Sequence, residues 1–373
     1  MFGLSCSDPG PDTPGQCNSR ISRNFRISWF QVTLDPVEII DPHVHLWDPR
    51  TTPREVTPVV KLFGRWPNLV EKLVRRATPQ PLVDFVGDPR HVLAAHMPDT
   101  FQADTGRHHV TGIVHVEAGW KQRGTLGPVG ETRWLEHLDV PPWALVAHAD
   151  LCDPAKLEAQ LDAHALSSGR LRGIRDIVAS HPSSVVHTWC SPDNRLVTDE
   201  FRNGLATLGE RQLSFDLWCY SNQLRDAARV AGDVPMTKIV LDHMGTPVGL
   251  ANNPGMVDDW YDGLAAMAEN RNVSLKLSGL LMPILGFGFH ERQTPPSRQE
   301  LVDAMAPHIA KGIELFGVDR CMFASNFPMD KVSTNYESLY DAYIAITDDL
   351  GLGAEATEEL FAGTASTFYR LTT

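Results

Sequence analysis

Short apolar runs recur along the chain from residue 37 and alternate with longer amphipathic stretches. Each run is continuous and rich in β-branched residues, which favours parallel strands covered on both faces. Eight runs are predicted as strands: Val37–His43, Thr111–Glu117, Trp143–Asp150, Leu171–Ile177, Leu213–Cys219, Lys238–His243, Val273–Ser278 and Arg320–Ser325. Amphipathic helices are predicted between them, among them Ala155–Ser167, Asp199–Leu208, Met256–Asn270, Arg298–Phe316 and Tyr336–Thr347.

This alternation predicts an α/β protein with a (β/α)8 TIM barrel, and a doubly wound sheet is the alternative. Two connections are longer than an ordinary barrel loop. The first, residues 47–108 after the first strand, contains the predicted helices Leu69–Arg75 and Gln80–Val86. The second, Gly279–Ser297, follows the seventh strand and has glycines suited to a hinge or a loop. Long excursions after barrel strands commonly build the pocket.

The first 36 residues differ from the rest. Residues 1–20 are rich in Ser, Pro, Gly and Asp, which predicts a mobile tail, whereas residues 21–34 are more apolar and could pack on the domain. We therefore predict an N-terminal extension over 1–36 and one barrel domain over 37–373.

The composition of the chain limits which kinds of molecule the protein is expected to bind. The 373 residues carry a formal net charge of −13, which argues against nucleic acid or an anionic membrane surface as partner. The six cysteines form no CxxC pair, and no stretch of 18 apolar residues is present. These features favour a reduced, cytoplasmic protein that acts on a small molecule. They leave a homo-oligomer open.

A pair of histidines marks the end of the first predicted strand. His43 and His45 stand at i and i+2 and project to the same face, because strand side chains alternate. Two imidazoles at a strand end make half of a metal site, although spacing alone is equally compatible with two surface histidines. His243, at the end of the sixth strand, is the predicted third ligand. Asp242 would face away from the ion and orient a neighbouring group.

Polar residues also end the other predicted strands, where the chemistry of such barrels gathers. The candidate catalytic residues are Glu117, Arg175, Asn326 and Asp330. The candidate substrate-binding residues are Trp47, His187, Trp218 and Phe327. For each one taken alone, a structural role such as rim packing or a salt bridge is the competing interpretation.

Several blocks together resemble one family. The blocks are Asp41–Asp48 (DPHVHLWD), Gly173–Arg175 (GIR), Leu241–Gly245 (LDHMG), Leu275–Leu280 (LKLSGL), Phe323–Pro328 (FASNFP) and Leu360–Leu371. In this order they resemble the amidohydrolase-related metal-dependent hydrolases, in the branch of the sugar-lactone and pyrone-dicarboxylate lactonases. The resemblance implies a (β/α)8 barrel over about residues 37–371 with a hydrolytic site at its C-terminal face. It also implies that His43, His45 and His243 cluster there.

Two departures from the family pattern change the expected chemistry. Binuclear members of the superfamily have a bridging lysine on the fourth strand, but this chain reads LRGIRD there. One divalent ion, zinc by preference, is therefore implied; some relatives hydrolyse lactones without a metal, so metal-free catalysis is the alternative. Family members often have an aspartate base where this chain has Asn326, and an amide cannot accept a proton near neutral pH. Asp330 or Glu117 could replace it.

We therefore predict a hydrolase that opens a lactone or similar cyclic ester with an activated water. One alternative is a non-oxidative decarboxylase of an aromatic or unsaturated acid, since such enzymes also carry HxH. A second alternative is a catalytically silent barrel that binds a small ligand. The sequence does not identify the substrate.

Overall fold

The computed structural model describes residues 37–140 and 142–371, so the predicted N-terminal extension lies outside the described residues. Within them, eight parallel strands pair in chain order: β1 Glu38–Val44, β2 His109–Val116, β3 Ala144–His148, β4 Leu171–Arg175, β5 Ser214–Leu217, β6 Ile239–Leu241, β7 Val273–Leu277 and β8 Cys321–Phe323. A parallel bridge between Val44 and Phe327 joins the end of β1 to the segment that follows β8. The predicted (β/α)8 barrel is therefore confirmed, and the doubly wound alternative is excluded.

The α-helices lie in the connections between consecutive strands and in the segment after β8. They are α1 Thr57–Phe63, α2 Pro67–Ala77, α3 Gln80–Val86, α4 Arg90–Leu93, α5 Pro98–Asp104, α6 Val129–Glu136, α7 Pro154–Ser167, α8 Asp199–Glu210, α9 Leu224–Asp233, α10 Val257–Ala268, α11 Arg298–Phe316, α12 Tyr336–Asp349, α13 Ala354–Glu358 and α14 Thr364–Tyr369. None of the helices in the described part of the chain combines the length and the apolar character that a membrane span requires.

Seven of the predicted strands were too long at their C-terminal ends, whereas β1 ends at Val44, one residue beyond its predicted end. The predicted sixth strand ran to His243, but β6 stops at Leu241, because His243 and Met244 take positive φ angles of 53° and 51° that no strand accommodates. The predicted eighth strand ran to Ser325, but β8 stops at Phe323. These early exits turn polar side chains into the mouth of the barrel.

The barrel interior changes from apolar to polar along its axis. Valines and a methionine, including Val114, Val146, Val240 and Met322, form a buried cluster with residues of α14. Next to this apolar layer, Tyr369 of α14 donates a hydrogen bond to Asp216 on β5. The apolar layer stabilises the barrel by removing about 25 cal/mol per Å² of apolar surface from water. The polar groups lie where the strands end.

The excursion between β1 and β2 contains five of the helices, α1 to α5. It includes helices at the two predicted positions: α3 has the predicted bounds, and α2 extends the predicted Leu69–Arg75 at both ends. The loop after β7 has no α-helix before α11 but contains two short 3-10 turns. The long connections are thus confirmed.

Candidate active site

His243 is held by an unusual turn directly after β6. Its positive φ of 53° is uncommon for a residue other than glycine and costs about 1–3 kcal/mol. Gly279, at the end of β7, makes room for it, since a Cβ on Gly279 would lie 2.5 Å from the His243 Cβ. The strained turn is therefore supported from the neighbouring strand, and it directs the imidazole toward β1.

The three predicted histidines converge. The ring centroid of His43 lies 4.9 Å from that of His45 and 4.5 Å from that of His243. All three side chains are buried. His43 thus lies close to both His45 and His243, while the role of the three histidines as ligands stays a prediction.

Each histidine has a partner on its Nδ1 side. The Nδ1 of His45 lies 2.8 Å from the carbonyl oxygen of Val116, and the Nδ1 of His243 lies 2.9 Å from Oγ of Ser278. The Nδ1 of His43 lies 3.4 Å from Oδ1 of Asp242. The carbonyl oxygen of Val116 can only accept, so it favours a proton on Nδ1 of His45 and leaves the Nε2 lone pair of that ring free. The Nδ1 of His43 faces both the Asp242 carboxylate and the ammonium of Lys276, and the Nδ1 of His243 faces a hydroxyl that can donate or accept. The Nε2 of His43 is buried and has no hydrogen-bond partner in the described residues.

The three imidazoles are neutral at neutral pH. Burial lowers the pKa of His243 to about 3. Burial and then the positive charge of Lys276 hold the pKa of His43 well below its usual range, and burial and then Arg175 do the same for His45. A metal ion binds the neutral imidazole, so the donor chemistry of this cluster fits a divalent cation.

A buried lysine underlies the histidines. Nζ of Lys276 on β7 lies 2.5 Å from Oδ2 of Asp216, 3.0 Å from Oδ1 of Asp242 and 3.1 Å from Nδ1 of His43. Burial alone would raise the pKa of Asp242, but Lys276 and His43 outweigh it and hold that pKa well below its usual range. Burial raises the pKa of Asp216 to about 6. The ammonium offsets the cost of burying the Asp242 carboxylate.

Asp242 is part of a candidate metal site. Donor atoms of His43, Asp242 and His243 all lie within 4.8 Å of one another, so this set could hold an ion, whereas no donor atom of His45 joins such a set among the described residues. However, the Asp242 carboxylate already contacts Lys276 and the Nδ1 side of His43. This contact matches the predicted supporting role of Asp242 better than a place among the ligands.

Glu117 and Arg175 form a buried ion pair at the ends of β2 and β4. Nε of Arg175 donates to Oε1 of Glu117 at 2.9 Å, and Nη2 donates to the Glu117 carbonyl oxygen at 2.6 Å. The amide of Gly119 donates to Oε2 of Glu117 at 3.0 Å. Burial opposes ionisation, but Arg175 and His148 outweigh it and lower the pKa of Glu117 to about 2. Glu117 is therefore ionised and is a weak base.

A cavity of about 440 Å³ opens over this pair. Its polar end includes Glu117, His148 and Asp176, and its apolar wall comes from the excursion after β1. The three histidines do not line it. They lie beyond its polar end, since Nη1 of Arg175 lies 3.9 Å from Oδ2 of Asp242, which contacts His43.

Asn326 and Asp330 contact each other rather than the cavity. Asn326 is buried with a positive φ of 57°, and its Nδ2 donates to Oδ1 of Asp330 at 3.0 Å. Burial raises the pKa of Asp330 to about 8, against the opposing effect of Asn326. Asp330 does not point to bulk solvent, so it stays a candidate, but at neutral pH it is mostly protonated.

The predicted aromatic contacts are mostly packing contacts. Trp47 and Phe327 are buried, Trp47 donating to the Ala94 carbonyl and Phe327 packing edge-on against Tyr336. Trp218 donates to Oγ1 of Thr246 and lies 5.2 Å from Trp189, which lines the cavity. None of these three predicted residues lines the cavity, and their contact with substrate stays a prediction.

His187 lies apart from the main cavity. It lines a separate hollow with His181 and Thr188, and its ring packs edge-on against Trp189 at 4.7 Å. Its predicted role in substrate binding is untested.

Three residues near the site were assigned no role from the sequence: Lys276, His148 and Arg54, of which Lys276 and His148 could be recognised only as polar residues at strand ends. A lysine inside the apolar strand Val273–Leu277 was a usable signal, because a lysine is rarely buried without a partner. His148 ends β3 and lines the cavity, and its position at a strand end was also visible. Arg54 lies in a loop, where no periodicity could indicate its burial.

Known proteins agree with this architecture. A protein from Sinorhizobium fredii, "Uncharacterized protein y4mH", is 29% identical over 91% of this chain and 100% of its own length. An amidohydrolase structure from Burkholderia multivorans with bound zinc has a TM-score of 0.66 at 21% identity, covering 90% of this chain and 99% of that one. A Pseudomonas putida structure named for 2-pyrone-4,6-dicarboxylic acid hydrolysis has a TM-score of 0.57 at 15% identity, with 90% and 99% covered. The family model described as Amidohydrolase matches residues 40–371, and the chain therefore belongs to the amidohydrolase family.

Proposed function

We propose that this amidohydrolase opens a lactone or similar cyclic ester by attack of an activated water. One observation carries the proposal: three neutral histidines meet at the barrel mouth, each with its Nδ1 beside a partner. A ring-sized cavity lies next to them. A small-molecule substrate follows from the size of that cavity.

The Nε2 atoms of His43, His45 and His243 would hold one divalent ion, zinc by preference, and Asp242 would support His43 from behind. Three protein ligands leave an open position, as catalytic zinc sites require. When bound, the ion supplies polarisation of the lactone carbonyl and a lower pKa for water. The zinc in the Burkholderia relative supports this choice of metal.

His148 is the proton acceptor in this proposal. Its Nδ1 lies 3.1 Å from the carbonyl oxygen of Arg175 and donates to it, so the lone pair is on Nε2. The side chain lines the cavity, whereas Asn326 has no basicity and the Glu117 oxygens both accept hydrogen bonds already. A neutral imidazole can take the proton that water loses as it attacks the carbonyl.

Arg175 fixes a positive charge beside the reacting carbonyl. Its contacts with Glu117 hold the guanidinium rigid, and its charge acts on His45. A positive charge preorganised in a buried site stabilises the negative charge that develops on the carbonyl oxygen.

The test is a panel of γ- and δ-lactones with the purified protein, with metal content measured on the same sample. We expect a ring-opened acid as product and, for His148→Asn, a fall in kcat of about 100-fold. His137→Asn, a change at an exposed histidine of α6's C-terminal end, is the matched control and should leave the rate unchanged.

Two outcomes would overturn the proposal. Release of CO2 from an aromatic acid without lactone opening would assign the chain as a decarboxylase. No turnover of any substrate, with the histidines intact and metal bound, would assign it as a ligand-binding barrel.

A further inference from the structure

Arg54 is a cation that the described residues leave without a partner. It lines the cavity in the excursion after β1, and its buried Nη1 has no hydrogen-bond partner. Within residues 37–140 and 142–371, no carboxylate oxygen lies within 4.0 Å of its guanidinium. Leaving a buried charged donor unpaired is destabilising, so such a group is a candidate to bind an anion.

The guanidinium is also held in place. Its central carbon lies 4.0 Å from the centre of the Trp47 ring, a cation–π contact that restricts the side chain. Burial lowers the pKa of Arg54 to about 10, opposed by the more distant carboxylates Glu131, Glu117 and Glu55. The group therefore stays charged at neutral pH, and a rigid planar fork suits a carboxylate.

The other cations of the cavity are already paired. Lys121 lies 3.3 Å from Oε1 of Glu55, and Nε of Arg75 lies 3.1 Å from Oε1 of Glu71. Arg54 is therefore distinguished from them by its missing partner as well as by its burial.

Much of the cavity wall that comes from helices α2 to α4 is apolar. Val74 of α2, Leu82 and Val86 of α3, and Val92 of α4 face the same cavity as Arg54. Such a wall binds hydrocarbon and offers no hydrogen bonds to the hydroxyl groups of a sugar. The excursion thus joins one unpaired cation to a hydrocarbon-lined space.

We propose that Arg54 is a specificity-determining residue that binds a carboxylate of the substrate, and that the substrate is a carboxylated lactone with an apolar, aromatic or alkyl body. That the substrate is a lactone rests on the proposed function, whereas the binding of a carboxylate by Arg54 does not. The lactone ring lies toward Glu117 and His148, the carboxylate contacts Arg54, and the apolar body lies along α2 to α4.

The binding test uses two inert probes of similar shape, 2-naphthoate and 2-naphthylmethanol, measured by calorimetry. We expect the wild-type protein to bind the carboxylate about tenfold more tightly than the alcohol, which corresponds to about 1.4 kcal/mol. Arg54→Gln should bring the two affinities within about twofold. Arg54→Lys keeps the charge without the fork and should retain part of the preference.

Arg76→Gln is the matched control, because Arg76 is an exposed arginine of the neighbouring helix α2 that does not line the cavity. It should leave the preference for 2-naphthoate intact. Melting curves show whether each variant is folded; if Arg54→Gln does not fold, Arg54→Lys and Arg54→Met carry the comparison.

Equal binding of the two probes by the wild-type protein would overturn the assignment. So would a preference that survives Arg54→Gln or that Arg75→Gln removes instead. Turnover of phthalide and 5-carboxyphthalide separates this inference from the proposed function. If neither lactone is opened but the preference for 2-naphthoate depends on Arg54, the carboxylate subsite stands and lactone hydrolysis fails.

Discussion

The chain leaves the barrel after β6 and after β8 through the same backbone conformation, a residue at positive φ, but the two side chains make different contacts. His243 after β6 and Asn326 after β8 are both buried and have positive φ angles of 53° and 57°. At β6 the side chain has Ser278 on its Nδ1 side and keeps Nε2 free. At β8 the amide donates inward to Asp330 at 3.0 Å.

This difference shows that a strained turn alone does not make a reactive strand end. Holding a residue other than glycine at positive φ costs about 1–3 kcal/mol at each end. After β6 this conformation directs the Nε2 lone pair of His243 to the mouth of the barrel. After β8 it lets the buried Asn326 and Asp330 side chains hydrogen-bond to each other. The proton-accepting role therefore passes, in our proposal, from β8 to His148 on β3.

The largest expected effect comes from making the end of β6 resemble that of β8. His243→Asn preserves the turn, since asparagine tolerates positive φ, but removes the imidazole. We expect bound metal to be lost and kcat/KM for lactones to fall by about 100-fold or more. Metal analysis by mass spectrometry and steady-state rates measure both.

The same measurements on His137→Asn control for the loss of any histidine. Full activity of His243→Asn without bound metal would remove the histidine cluster from the mechanism and would favour metal-free catalysis. In that case the two strand ends would differ in structure but not in function.

Glu117→Gln tests the ion pair that connects the cavity to the β6 end. The variant leaves Arg175 buried without its carboxylate, so we expect kcat to fall about 10-fold or more. Because the pKa of Glu117 is lowered to about 2, the charge stabilises the fold above the ordinary pKa and this stability is lost as pH falls toward 2. The variant should therefore melt below the wild type at pH 7, and the gap should narrow toward pH 3.

Glu136→Gln provides the control for that experiment. Glu136 pairs with Arg170 at 2.5 Å, but this pair is partly exposed and should contribute about 0–1 kcal/mol. If the two variants lose the same small amount of stability and neither loses activity, Glu117 has only an ordinary structural role.

The sequence predicted this architecture because its strands are continuous apolar runs and its motifs sit at their ends. His43, His45 and His243 could be placed together, since the carboxyl ends of all barrel strands meet at one face. The early exits after β6 and β8 could not be predicted, because Asp242-His243-Met244 and Ser325-Asn326 contain no glycine to indicate a positive φ. The support for His243 comes instead from Gly279, which is distant in sequence.

Contacts between side chains on different strands were the other feature that could not be predicted from the sequence. Lys276 was visible as a polar residue in an apolar strand, but its contacts with Asp216 and Asp242 depend on the register of β5, β6 and β7. The sequence places three aromatic residues just after strand ends, close to the predicted mouth: Trp47, Trp218 and Phe327. Their burial follows from packing against α12 and the loops, which the sequence does not show. Whether an aromatic side chain faces a cavity or the core is decided by tertiary packing.

A smaller effect, on stability rather than rate, is expected from Asp330→Asn at the β8 end. Burial raises the pKa of Asp330 to about 8. The folded wild-type protein therefore holds the Asp330 proton more tightly than the unfolded chain does, and this contribution to the free energy of unfolding is lost as pH rises through 8. The neutral amide has no such loss and can still accept from Asn326. In urea unfolding we expect the variant to gain stability over the wild type on going from pH 5 to pH 9. Asp349→Asn, at an exposed position, should show no such trend.

The smallest effect on rate is expected from Asn326→Asp, which restores the carboxyl group that the family often has at the end of β8. Aspartate also tolerates the positive φ, so the turn should survive. The new carboxyl would lie against Asp330, and two buried carboxylates in contact cannot both ionise, so the pair would share one proton. If His148 accepts the proton in the wild type, kcat at pH 7 should change only about two- to threefold. A rise of about tenfold or more, together with a new acidic limb in the pH profile and indifference to His148→Asn in the double variant, would mean that the end of β8 takes over as base once it has a carboxylate. The double variant decides between these outcomes. Asn326→Asp adds a base and His148→Asn removes one, and their effects on the rate are non-additive only if both groups accept the same proton.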